Sequence, residues 1–161
     1  ADSGVWDFGS EWFTGQNGPS GITGWKGLHF IGYNGSNGAW NVTSPADIAD
    51  VEARTAAAVA NSENVILVGH HRHNERGLMP MVNVLENSSC IGYMRGHLDQ
   101  PAIEAGLSGV SNPNVHDLNS NSVIDVGALI YYEIFTDRIE AYVLSLAFGP
   151  TELPEAQTIW L

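Results

Sequence analysis

Two stretches of this chain end in the same way, and both endings could hold a metal ion. Val65-Ile66-Leu67-Val68 is a short apolar run that closes on Gly69-His70. Tyr93-Met94-Arg95 closes on Gly96-His97-Leu98-Asp99. Neutral imidazole is a common metal ligand, and a carboxylate adds a hard oxygen donor. Glycine ahead of each histidine lets the backbone turn sharply and leaves room for an ion. His97 and Asp99 lie two apart, so extended backbone would point both side chains the same way. A single histidine after a strand is more often structural. The matched contexts together favour metal ligation, with His70, His97 and Asp99 as the candidates. Asp99 keeps a second reading, as a cap on the chain ahead of Pro101.

These residues need strands to carry them to one place. Leu28 to Tyr33 reads as a buried strand running into turn chemistry at Asn34 to Gly38. Ser44-Pro45-Ala46-Asp47 opens a helix, with Ser44 as cap and Pro45 in the first position. Ile48, Val51, Thr55 and Val59 form its apolar stripe, and it should stop near Asn61. Val65 to Val68 reads as a central strand covered on both faces. Met79 to Asn87 reads as helix and Ile91 to Arg95 as strand. Residues 101–121 read as loop, with room for a short helix at Ala102 to Leu107. Ser122 to Phe135 and Arg138 to Leu146 form a hairpin about Thr136-Asp137. Residues 1–26, rich in glycine and aromatic rings, and the tail after Gly149 read as irregular. In open α/β sheets ligands bind beyond the carboxyl ends of the strands, so adjacent strands would bring His70 and His97 to one rim.

The remaining polar residues have ordinary explanations. His71 is read as a surface or supporting residue, because a strand neighbour points the other way. Arg72, His73 and Asn74 lie in a polar loop. Arg95 is expected to pair with an acidic neighbour, and His29 to be a satisfied core group. His116-Asp117 is read as loop chemistry, since adjacent residues rarely face each other. Cys90, the only cysteine, makes no intrachain disulfide and no thiolate cage, and reads as a buried inert thiol.

The 161 residues suit one domain with a real core, and 43% hydrophobic against 15% charged residues is a globular balance. Lys and Arg total 6 against 18 Asp and Glu, for a formal net charge of -12. So acidic a surface repels nucleic acid and anionic membranes, and no apolar run spans a bilayer. It also repels anionic substrates, so an enzyme of this composition acting on them needs local positive charge, which bound divalent metal would supply. Excess acid fits secretion, the periplasm or a salty medium. Asn34-Gly-Ser, Asn41-Val-Thr and Asn87-Ser-Ser fit the glycosylation acceptor pattern. The chain begins with Ala1, which is read as a processed end or the edge of a fragment.

Val-Gly-His70-His71 followed by Arg-Gly-His97-Leu-Asp99 resembles the last two motifs of the calcineurin-like metallophosphoesterases. There a metal-binding histidine directly follows a strand, and a Gly-His-x-His motif follows after another helix and strand. His97 stands 27 residues after His70, which leaves room for both. The resemblance covers Trp25 to Leu146 and implies residues 1–161 as a single partial domain, the C-terminal half. The implied fold is α/β, a layered sheet with flanking helices and a C-terminal antiparallel hairpin, half of a four-layer metallophosphoesterase sandwich. By this similarity His70 and His97 ligate the second of two divalent ions (Mn, Fe, Zn or similar). Asp99 stands where the family usually has a first-metal histidine, which shifts preference toward harder ions. The implied activity is hydrolysis of a small-molecule phosphomono- or diester by a two-metal-activated water. The family's Asp-x-His, Gly-Asp-x-x-Asp and Gly-Asn-His motifs do not occur in this sequence. Three donors cannot hold two ions, so the chain alone is expected to be inactive. The alternatives are a noncatalytic interaction protein on the same fold, or a carbohydrate-binding module built on aromatics such as Trp6 and Trp12.

Overall fold

The apolar run around Val65 becomes the middle of a six-stranded sheet. In the computed structural model, residues 6–8, 28–32, 45–69, 82–96, 102–119, 128–135, 137–145 and 156–161 are described. The strands of this sheet are β1 (Trp6–Phe8), β2 (Leu28–Gly32), β3 (Asn64–Val68), β4 (Cys90–Arg95), β5 (Ala102–Ala105) and β6 (His116–Asn119). Their spatial order is β1-β2-β3-β4-β6-β5. β2, β3, β4 and β6 run parallel, while β1 and β5 close the two edges antiparallel. The helices α1 (Pro45–Ala60) and α2 (Val82–Leu85) follow β2 and β3 in the chain. A second sheet is antiparallel throughout, in the order β7 (Ala128–Ile134), β8 (Arg138–Ser145), β9 (Gln157–Trp160).

Burial on both faces explains the continuous apolar strands. Alternate residues of β3 feed different cores: Val65 and Leu67 join Val51 and Ala58 of α1, while Ile66 joins Leu118 of β6 with Ile139 and Ile159 of the second sheet. The layers are therefore helix, sheet and sheet. Tyr93 and Cys90 lie on the helix side, fully buried. Burial pushes the Cys90 thiol up to about 12, which suits the inert thiol expected from the sequence. Gly92 sits where β4 meets β6. A Cβ there would lie 3.0 Å from Leu118 Cδ1 and 3.5 Å from Ile66 Cγ1, and the β3–β4 register shifts just before it.

The helix α1 starts at Pro45 and ends at Ala60, as its start and stop signals require. Its buried stripe is Val51, Thr55 and Ala58, with Ile48 packed alongside. Ala58 takes the place expected of Val59, because a spacing of three from Thr55 keeps the stripe over the sheet. The helix closes with a left-handed residue, Ser62, at φ 60°. Ser62 N–H donates to Val59 O at 2.9 Å and Glu63 N–H to Ala58 O at 3.0 Å, the paired bonds of a Schellman cap.

Four sequence expectations are corrected. The 101–121 segment is not loop with a short helix but the strand pair β5 and β6. Ala102 to Leu107 has helical composition, yet Gly106 at φ 84° breaks any helix there. Ile103 opposite Leu118 pulls the segment into the second core. The first 26 residues include a strand, because β1 pairs with β2 from Trp6↔Gly32 to Phe8↔Phe30. The tail is not wholly irregular: β9 pairs with β8 and buries Ile159 against Ile139. Helix among the described part of 79–87 is limited to Val82–Leu85. In each strand case the stabilising contact is non-local, so no local periodicity announced it. The β7–β8 hairpin matches its expectation.

The loop before β6 is held by Asn112, a buried side chain. Its Nδ2 donates toward Leu85 O, Asn87 O and Cys90 O at 2.9, 2.7 and 2.8 Å. Its Oδ1 accepts from Asn114 N–H at 3.0 Å. One carboxamide thus shares its two N–H groups among three carbonyls of the α2–β4 turn, of which Asn87 O also accepts from Cys90 N–H. On the outer face of the second sheet, Tyr131 packs on Tyr142 with ring centroids 6.0 Å apart, and Trp160 is 67% exposed. No helix among the described residues is long and apolar enough to cross a membrane.

Four stability and reactivity outcomes are expected. Ser62→Gly relieves the left-handed strain and should stabilise the chain by about 0.5–1 kcal/mol in urea unfolding. Asn112→Ala should cost about 2 kcal/mol by stranding buried carbonyls. Asn112→Asp should cost more, because it sets a carboxylate against them. A native chain at pH 8 should react with a thiol reagent far more slowly than free cysteine, and react fully once unfolded. Fast native labelling would contradict the burial of Cys90.

Candidate functional site

The parallel register sends four strand ends to one rim. Gly32 of β2 is opposite Val68 of β3, Val68 is opposite Met94 of β4, and Arg95 of β4 is opposite Asn119 of β6. The pairing of β3 with β4 continues one residue beyond β3, because Gly69 N–H donates to Met94 O at 2.8 Å. The two glycines that precede the candidate histidines, Gly69 and Gly96, therefore leave neighbouring strands from the same edge. Adjacent strands are separated by about 4.8 Å.

His70, His97 and Asp99 themselves lie outside the described residues, as do Asn34, His71, Arg72, His73 and Asn74. The structure brings together the strand ends that precede the three candidates. Among the described residues, no group of three or more His, Cys, Asp or Glu side chains could hold a metal ion.

Arg95 and Asp117 form an ionic contact at the rim. Arg95 Nε donates to Asp117 Oδ1 and Nη2 to Oδ2, both at 2.8 Å. Both side chains are largely buried, 7% and 14% exposed. Arg95 thus pairs with an acidic neighbour, as its setting in an acidic chain led us to expect. Asp117 corrects the sequence reading, for His116-Asp117 lies on a strand and not in a loop. The two residues do alternate, as neighbours on a strand must. Asp117 faces Arg95, while His116 Nδ1 lies 3.0 Å from Asn114 O. Nothing local in the sequence marks Asp117 as the partner of a residue 22 positions away, and the only usable signal was the need of a buried guanidinium for a carboxylate. The charge of Asp117 also reaches the second sheet, where burial first and Asp117 second push the Tyr132 hydroxyl well above its ordinary range.

His29 stands apart from the rim. Its Nδ1 lies 2.8 Å from Glu63 Oε2, near the opposite ends of the strands, since Leu28 is opposite Asn64 at the start of β3. His29 is three residues, or about 10 Å, short of the rim. It is a core-lining group with Glu63 as the partner of its Nδ1, while its Nε2 is buried without a hydrogen bond to any described residue.

The fold is similar to that of a dimetal phosphatase from Danio rerio, with a TM-score of 0.66 at 9% sequence identity. The similarity covers 97% of this chain, which spans 60% of the phosphatase chain. At that identity the likeness shows the fold alone: a mixed α/β architecture with a parallel-rich sheet, few helices and a C-terminal antiparallel sheet, matching part of the larger one. The sequence matches no family model and no curated protein.

Proposed function

We propose that this chain carries part of the site of a metal-dependent phosphoesterase acting on small phosphomono- or diesters. The observation that carries the reading is the shared rim. Two strand-Gly-His units leave adjacent parallel strands joined by the Gly69–Met94 hydrogen bond, on a fold similar to that of a dimetal phosphatase.

His70 and His97 supply imidazole nitrogen and Asp99 supplies carboxylate oxygen. That mixed set fits one divalent ion of the Mn, Fe or Zn kind and falls short of two. Two divalent ions, when bound, activate the attacking water and neutralise the phosphoryl oxygens. The three residues hold and orient; none of them transfers a proton. Their ligation also answers the charge problem of a chain at -12, because cation at the rim offsets the field that repels a phosphoester. The missing donors leave this chain without turnover by itself. The absent motifs and the Asp99 departure also support a noncatalytic relative that keeps the fold without the reaction.

Calorimetric titration of the 161-residue chain with Mn²⁺ or Zn²⁺ tests the site. One ion per chain is expected, and His70→Ala or His97→Ala should each weaken binding at least about tenfold. Unchanged affinity in both variants would remove the site assignment. Turnover of a chromogenic phosphomonoester by the chain alone would instead show that the donor set is complete.

A further inference from the structure

The Arg95–Asp117 pair has more geometry than stability calls for. Burying two charges costs desolvation that their attraction barely repays, and well-packed apolar residues often serve as well or better. The neighbouring positions show that this sheet accepts such residues. Tyr93 and Met94 precede Arg95 on β4, and Leu118 follows Asp117 on β6, all of them packed in the two cores. What an apolar pair cannot supply is a planar fork. Two parallel N–H···O bonds of 2.8 Å fix the guanidinium plane and the last residue of β4 against β6.

The other side of β4 is held independently. Gly69 N–H bonds to Met94 O, so the ends of β3, β4 and β6 are tied together at adjacent residues. Gly96 follows Arg95 at once, and the chain then continues into His97 and Asp99. A glycine joint transmits little restraint of its own. What Arg95 sets is therefore the position from which that segment leaves β4, while Gly96 leaves its direction free to adapt.

We infer that Arg95 and Asp117 are positioning residues for metal binding at the rim, fixing the exit of β4 relative to that of β3 so that donors from the two following segments meet. The inference rests on the ligand reading above. Neither residue touches the ion; they act by holding the strand end from which two of its ligands continue.

The test is calorimetric Mn²⁺ or Zn²⁺ titration of the 161-residue chain, with thermal unfolding recorded for every variant. Arg95→Met combined with Asp117→Leu removes the fork while keeping the site filled and free of unpaired charge. The expected result is an unfolding midpoint near wild type with ion affinity lowered about tenfold, the size of effect that supporting residues around metal sites have. Arg95→Lys keeps the charge, loses the two-pronged contact and should also weaken binding. His97→Ala serves as the reference. Wild-type affinity in the fork variants, with binding lost in His97→Ala, would leave the ion site standing and overturn the positioning role. Wild-type affinity in His97→Ala would overturn the ligand reading and the inference together. If the double variant does not fold, the Arg95→Lys affinity decides: a loss supports the role and no loss overturns it.

Discussion

In the run β2-β3-β4-β6 every strand must be entered from the same end, because all four are parallel. Each connection has to travel back to the starting end: α1 lies in the one after β2, α2 in the one after β3, and the edge strand β5 in the one after β4. The opposite ends then all open at one rim, whatever the loops contain. That topological constraint, more than any single contact, collects residues distant in sequence into one neighbourhood. It also demands burial on both faces. Val65 and Leu67 meet the helices while Ile66 meets the second sheet, so the second sheet is needed as much as the helices are.

Among the described residues few polar groups enter this double core, and three of them show how such a group is matched. Asn112 spends one carboxamide on the carbonyls of the α2–β4 turn. Arg95 meets both oxygens of Asp117. Glu63 faces His29 at the far end of the strands. A neutral amide, a bidentate ion pair and an imidazole–carboxylate contact each answer the penalty for burying an unsatisfied polar atom. The ion pair lies at the rim end of β4 and the imidazole contact near the opposite end of the sheet. The structure thus separates two features, both involving His or Arg with an acid, that look alike in the sequence.

The likeness to a dimetal phosphatase extends over nearly all of this chain and 60% of the other. Conservation of fold at 9% identity is the expected consequence of such layering. A parallel sheet covered on both faces tolerates wide exchange among apolar residues of similar volume. Chemistry depends instead on a few residues at the ends of such strands, and here Gly69 and Gly96, each followed in the sequence by a histidine, leave adjacent strands at one rim.

The sequence by itself determined the elements whose information is local. The capped helix from Pro45, the buried strands around Val65 and Ile91, the β7–β8 hairpin and the inert Cys90 all follow from periodicity, capping residues and apolar runs. It also pointed to the paired Gly-His endings. Tertiary structure alone decided the strands β1, β5, β6 and β9. Their residues gain from pairing with partners chosen by topology, and a four-residue segment such as Ala102–Ala105 carries too little pattern to announce this. It alone made Asp117 the partner of Arg95, because a diagonal contact between parallel strands depends on register, and register is a property of the assembled sheet.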